Sequence, residues 1–330
     1  MKKRGKQVAD YKHESTDPED WERFWAGSVA TQDLAAIQLP ALESLWATLL
    51  AGLSFEEPDL IAVELASGSG SVSKYLMKHP LLESATKVAL DASLSALMQT
   101  QFDECPVAGN LDRLPFADRS IQLLTSQFGV EYAGLASIES ALECVAPNGY
   151  FIFVMHIKDG AISAECGSNL MAIERFLETG FIEAARTLLG SLWGNAPEVE
   201  QLDNVKRFKR AVRATEATLL QLPDGQGRDT SLQTYNAIAD IVEEPRSFDP
   251  SVAGKWFLEA ESELLSYCSR MRQMRSVALS RQGFSSLVDK AIAKGFHISE
   301  QGVLKNERQP EQEAELAFYL IGQRREMALQ

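Results

Sequence analysis

The chain has 330 residues, 45% of them apolar, and a formal charge of −14 from 46 acidic against 32 basic side chains. That apolar supply fills a sizeable core, so the chain is expected to be globular. The acid surplus argues against a surface that neutralises nucleic-acid phosphates or binds anionic lipid, and no apolar run approaches the roughly 20 residues of a membrane-spanning helix.

Lys2, Lys3, Arg4 and Lys6 open the chain, but polar and acidic residues follow where a signal peptide would place its apolar stretch. A solvated terminus on a cytoplasmic protein is expected. Residues 18–26 and 40–53 repeat apolar side chains at helical spacing and read as helices that cap a site or cover a sheet edge. An apolar strand over 60–65 then gives way to a glycine turn and a short helix through Tyr75 and Leu76. A second strand, 87–90, ends at Asp91; a short third, 106–108, ends at Gly109-Asn110; 121–125 makes a fourth. Leu135, Ile138, Ala141, Leu142 and Val145 mark one face of a helix, after which Pro147-Asn148-Gly149 turns into a strongly apolar fifth strand, 150–155.

From about 158 to 280 the pattern changes to long amphipathic helices, for example over 169–177, 182–192, 199–220 and 252–274. Phe176, Phe181, Leu188, Leu189 and Trp193 are expected to form helix-to-helix core there. A helix over 284–294 and strands over 296–304 and 316–322 close the chain. Strands alternating with helices imply an α/β fold with a mostly parallel sheet covered on both faces. The expected organisation is an N-terminal helical cap (1–57), a Rossmann-like domain in two pieces (58–157 and 281–330), and a helical insertion (158–280) between strands 5 and 6.

Cys105, Cys144, Cys166 and Cys268 are scattered without a C-x-x-C pair, which fits reduced thiols in a cytoplasm. His13, His79, His156 and His297 show no zinc-ligand spacing, so no metal is expected. The basic run Lys206-Arg207-Phe208-Lys209-Arg210 and the set Arg270, Arg272 and Arg275 read as solvated helix faces, with an anionic ligand or acidic partner as the sharper alternative.

Val63-Glu64-Leu65-Ala66-Ser67-Gly68-Ser69-Gly70 puts two glycines where a buried strand gives way to a helix, so that a ligand can press against backbone. The helix amides beyond Gly70 are expected to be free for an anionic group. The dinucleotide fingerprint G-x-G-x-x-G would need glycine at position 73, where Ser73 stands, and Glu64 suits a ligand with cationic groups better than a bare pyrophosphate. Asp91 follows Gly70 by 21 positions, at a strand end from which an acid can accept both hydroxyls of a ribose. The alternative is a helix N-cap before Leu94, for which Asp91 or Ser93 would serve.

These residues resemble the class I S-adenosylmethionine-dependent methyltransferases, notably the branch that includes the ubiquinone and menaquinone biosynthesis enzymes. Glu64 to Gly70 is similar to the family's first motif and Lys87 to Asp91 to its second. Asn110-Leu111-Asp112-Arg113-Leu114-Pro115-Phe116 resembles its Asp-Ala-Glu-x-Leu-Pro-Phe stretch. Ser120-Ile121-Gln122-Leu123-Leu124 with Gln127 and Phe128 is similar to its fourth strand and the loop that reaches toward the reacting methyl, and Val145 to Tyr150 to its Leu-x-Pro-Gly-Gly turn. The likeness covers roughly 58–156 and 282–323. It implies a Rossmann-like methyltransferase fold with a seven-stranded, mostly parallel sheet and an antiparallel last strand, and S-adenosylmethionine as cofactor. By resemblance Ala66, Gly68 and Gly70 line its methionine half, Glu64 supports that end, Asp91 with Ala92 holds the ribose, Asn110 and Leu111 border the adenine, and Gln127 and Phe128 lie toward the methyl. Asn110 departs from the family's usual acid: an amide oxygen accepts the same hydrogen bond without charge assistance.

The acceptor implied is a small molecule, neither nucleic acid nor membrane, whose O, N or C atom the sequence leaves open. His156, directly after the fifth strand, is the first candidate for a base, against the alternative that it only caps the strand; Glu131 and Tyr132 are the second candidates and His13 a weaker one. The insertion would roof the site or mediate a homodimer. A catalytically silent subunit on the same fold is the rival reading, and Ser73 and Glu64 disfavour a nicotinamide dehydrogenase.

Overall fold

The computed structural model describes residues 18–27, 40–56, 59–100, 104–305 and 314–325; His13 and the four N-terminal cations lie outside them. Two helices, α1 (Pro18–Gly27) and α2 (Pro40–Ala51), precede an alternating series: β1 (Ile61–Leu65), α3 (Ser73–Leu76), β2 (Thr86–Asp91), α4 (Leu94–Met98), β3 (Cys105–Ala108), β4 (Ile121–Gln127), α5 (Gly134–Glu143) and β5 (Val145–His156). Five helices follow: α6 (Ala161–Glu178), α7 (Phe181–Trp193), α8 (Glu198–Leu219), α9 (Gln226–Glu243) and α10 (Pro250–Val277). Then α11 (Arg281–Ala293), β6 (Phe296–Lys305) and β7 (Glu315–Arg324) complete the described chain.

The seven strands form one sheet in the order β3-β2-β1-β4-β5-β7-β6. Pairs from β3 through β5 are parallel, and β7 runs antiparallel to both neighbours. This is the Rossmann-like methyltransferase architecture the sequence led us to expect, its last strand reversed. Side chains of β5 alternate between two cores as the period of a strand requires. Phe151, Phe153 and Met155 face α5 and α11 with Leu287 and Phe318, while Tyr150, Ile152 and Val154 face α2 with Trp46 and Leu49. Both faces are covered, which is why the strand reads as a continuous apolar run.

Pro147-Asn148-Gly149 does not precede β5 but lies inside it. Ile121 pairs with Val145 and Leu123 with Tyr150, so the extra residues bulge out between two paired stretches, with Asn148 at φ +59°. The chain order reverses between β1 and β4: β2 and β3 extend to one side, β4 and β5 to the other. In an open sheet that point leaves a crevice beyond the carboxyl ends of the strands.

The helices α6 to α10 bury their own core, with Phe176, Phe181, Ile238, Phe257 and Leu264 at its centre, Leu189 in it and Trp193 packed against it. Asp249 starts α10 by accepting from the amides of Ser251 and Val252, and Pro250 stands at the first helical position where no amide partner is needed. The chain leaves the sheet at Ile157 and returns at Leu279, and these two residues form a parallel bridge. Leu279 N–H donates to the His156 carbonyl and Lys158 N–H to the Leu279 carbonyl, each at 2.9 Å. The helices therefore rise from one point beside the end of β5. Among the described residues, no helix is long and apolar enough to cross a membrane, and no three His, Cys, Asp or Glu side chains cluster as metal ligands would.

Candidate active site

A cleft of about 1490 Å³ opens at the carboxyl ends of β1, β2, β4 and β5, walled by α1 on one side and by α6, α9 and α10 on another. Ala66, Gly68, Asp91, Ala92, Asn110, Leu111, Gln127, Phe128, Tyr132 and His156 all line it; Glu64, Gly70 and Glu131 do not.

The floor is the turn after β1. Ala66 and Gly68 have φ of +49° and +55°, a region in which glycine is at ease and other residues are strained. Ser126 Oγ, on β4, donates to the Leu65 carbonyl and accepts from Val130 N–H, which ties the ends of β1 and β4 together. The two loops approach so closely that a Cβ on Gly129 would lie 2.4 Å from that of Ala66.

Beneath this turn sits Glu64, 1% exposed. Its carboxylate accepts from Val72 N–H, Ser73 N–H and the hydroxyls of Ser71 and Ser73, at 2.5–3.2 Å. The helix amides that the sequence left free for an anionic ligand are thus taken by the protein's own carboxylate. Burial pushes Glu64 up to about 7, against the pull of its hydrogen bonds. Asp91 holds the turn from the other side: one oxygen accepts from Gly68 N–H and the other from Ser93 N–H, both at 2.8 Å. Ser93, not Asp91, caps α4, accepting from Ala96 N–H. Burial raises Asp91 too, partly offset by those two bonds. Asn110 is exposed, and its Oδ1 accepts from Asp112 N–H.

At the β4–β5 end four aromatic or polar groups converge: Glu131, His156, Phe128 and Tyr132. Glu131 Oε1 accepts from both the backbone N–H and Nδ1 of His156, at 2.9 and 2.6 Å, with Glu131 2% and His156 3% exposed. A carboxylate accepting there holds a proton on Nδ1, so that in the neutral ring the lone pair is at Nε2. Phe128, at φ +56°, lays its ring 4.5 Å from that of His156. The Tyr132 ring packs on Trp21 and His156, and burial with the nearby Glu131 raises its hydroxyl well above the usual range, so it stays protonated. Three buried atoms here have no hydrogen-bond partner among the described residues: Gln127 Nε2, Glu131 Oε2 and the Tyr132 hydroxyl.

Sequence reasoning pointed to α1 as a cap but not to its attachments. Glu22 accepts from the hydroxyls of Ser93 and Ser95, Trp21 Nε1 donates to Gln273, and Arg23 to Ser262, so α1 joins α4 to α10 across the cleft. Its Trp25 ring lies over the glycine turn, 2.7 Å from where a Gly68 Cβ would stand. Of the basic groups singled out, Lys206 and Arg207 pair with Asp203 and Glu183 on the surface, whereas Arg270 is 6% exposed, lines the cleft and sits between the rings of Phe24 and Tyr267. Among the described lining residues Asp91, Asp112, Glu165, Glu259 and Glu263 oppose only Arg23 and Arg270. That surplus suits a ligand carrying positive charge.

Residues 63–153 match a family described as a methyltransferase domain. A malonyl-[acyl-carrier protein] O-methyltransferase of Dechloromonas aromatica (strain RCB) is 27% identical over 192 residues, 54% of this chain and 71% of that protein. Among solved structures, an S-adenosylmethionine-dependent methyltransferase from Leishmania major is 10% identical with a TM-score of 0.44, over 93% of this chain and 85% of that one. A methyltransferase from Aquifex aeolicus, likewise S-adenosylmethionine-dependent, is 14% identical with a TM-score of 0.32, over 43% and 74%.

Proposed function

We propose, from the premise that this chain is a class I S-adenosylmethionine-dependent methyltransferase, that it methylates a small molecule held in the cleft against the Glu131–His156 pair. The cofactor, when bound, supplies a methyl group on a sulfonium that is open to in-line displacement. The residues fit it: the glycine turn lines the cleft beneath the Trp25 ring, Asp91 stands at the end of β2, and acids outnumber bases along the walls.

In this reading Ala66 and Gly68 border the methionine half, and Glu64 acts from below by holding the turn. Asp91 accepts from the ribose hydroxyls with lone pairs that its two amide partners leave over. Asn110 and Leu111 border the adenine, and Gln127 and Phe128 the methyl. His156 Nε2 receives the acceptor's proton, Glu131 orients the ring and stabilises it once charged, and Tyr132 donates from its hydroxyl. α1 and the helices α6 and α10 exclude water, so that positioning, worth up to about 7–11 kcal/mol in favourable cases, carries much of the rate.

The observation that supports this most directly is the meeting of Asp91, the glycine turn and His156 on one cleft. Calorimetric titration with S-adenosylmethionine, S-adenosylhomocysteine and NAD tests it. Binding of the two sulfur compounds and not of NAD is expected; binding of neither sulfur compound defeats the reading.

A further inference from the structure

Gln127 ends β4 at the cleft, 5% exposed. Its Oε1 accepts from Trp46 Nε1 at 2.6 Å. An indole N–H can only donate, so this bond settles which way the amide points: oxygen toward Trp46, nitrogen the other way. Trp46 lies in the core between α2 and the sheet and does not line the cleft. The amide nitrogen carries two N–H donors, is buried, and has no partner among the described residues. Leaving such a group unmet is costly, and a ligand oxygen would recover that cost.

The cationic groups of the cofactor cannot accept from an N–H, and an amine that accepts there has spent the single lone pair with which it would attack the methyl. On the neighbouring strand, two residues beyond Val154 with which Gln127 pairs, the lone pair of a neutral His156 at Nε2 asks for the opposite partner, a donor with a removable proton. Ile162, Cys166, Met271 and Met274, which belong to the apolar cluster of Trp46 and Val154, also line the cleft. One group answers both demands: a hydroxyl, whose proton goes to His156 and whose oxygen accepts from Gln127.

Building on the methyltransferase reading, we propose that the acceptor is an oxygen nucleophile, a hydroxyl on a largely apolar body, held between His156 Nε2 and Gln127 Nε2, with Trp46 as the positioning residue that fixes the amide. In the transfer the O–H and C–S bonds break and the O–CH3 bond forms; the proton passes to Nε2 and the C–S electron pair stays on sulfur.

The test is calorimetric binding of 4-nitrophenol and 4-nitroaniline to the full chain saturated with S-adenosylhomocysteine. The phenol is expected to bind about tenfold more tightly than the aniline, as one hydrogen bond gained and one mismatch avoided imply. Gln127→Glu replaces the donor by an acceptor while keeping an oxygen for Trp46, and should reverse the preference. Trp46→Phe frees the amide to rotate and should shrink the preference toward unity. Equal affinities, no binding of either probe, or a preference that Gln127→Glu leaves intact overturns the proposal. Loss of S-adenosylhomocysteine binding by the unaltered chain would instead sink the methyltransferase reading, and if Trp46→Phe alone loses it, the Gln127→Glu reversal decides.

Discussion

The two ends of the cleft treat their polar groups in opposite ways. Around the glycine turn the two carboxylates that hold it are answered from within: Glu64 by two amides and two hydroxyls, Asp91 by the amides of Gly68 and Ser93. At the ends of β4 and β5, Gln127 Nε2, Glu131 Oε2 and the Tyr132 hydroxyl are equally buried and unanswered. A half-satisfied polar cluster is less stable than an apolar one of the same shape, so groups left over at such a place favour a ligand that completes them. The first end is a preformed frame; the second holds its hydrogen-bonding capacity in reserve.

If that division is right, the largest change comes from the reserved end. His156→Ala should lower kcat by about 10²–10⁴-fold, the range for loss of a general base, and leave the dissociation constant of S-adenosylhomocysteine within a few-fold of the unaltered chain. Single-turnover kinetics paired with calorimetry reads both. Full activity would reduce His156 to a residue that closes β5, and a matching loss of cofactor affinity would erase the distinction between the ends.

A smaller effect is expected at the frame. Asp91→Ala removes the acceptor for two backbone amides and, in the proposed function, for the ribose. S-adenosylhomocysteine affinity should fall by about 10- to 100-fold, one or two hydrogen bonds to a charged group, with stability lowered by roughly 1–2 kcal/mol. Unchanged affinity with lowered stability would confine Asp91 to holding the turn.

How much of this was legible in the sequence follows the same division. The frame is local: strand, turn and helix are contiguous from Val63 to Leu76, and an apolar run broken by glycines announces them. The four-residue detour inside β5, 146–149, reads as a turn because Pro147 and Asn148 break any strand pattern, and only the partner strand shows that pairing lies on both sides of it. Helix α9 escaped notice because its buried positions are mostly Gly227, Ser231, Ile238 and Ile241, too few apolar residues to set a period. His156, Glu131 and Tyr132 could be named singly from their places after strands. That Glu131 and His156 are hydrogen-bonded across 25 positions, or that Trp46 reaches Gln127 across 81, depends on which strands lie side by side. Trp46 carried no signal at all beyond its helical spacing.

The smallest effect separates frame from ligand by pH. Glu64 stands at about 7 in the folded chain against an ordinary 4.5, because burial disfavours its charge more than its four donors favour it. Between those two values the folded chain keeps a proton that the unfolded chain has released, so this group's contribution to stability is complete below about pH 4.5 and is lost as pH rises toward 7. Asp91 and Glu104 are raised for the same reason and add to the slope; Glu22 and Glu143, lowered by their hydrogen bonds to Ser93 and Lys294, oppose it. Denaturant midpoints measured from pH 5 to 8 should therefore fall less steeply in Glu64→Gln than in the unaltered chain, although the variant is less stable throughout because its amide nitrogen meets a donor at Ser73. Because Glu64 does not line the cleft, S-adenosylhomocysteine affinity at pH 8 should change no more than the turn itself loosens. A slope that survives the substitution would show that the charge beneath the turn is settled elsewhere, and a loss of affinity as large as that of Asp91→Ala would put Glu64 in contact with the ligand after all.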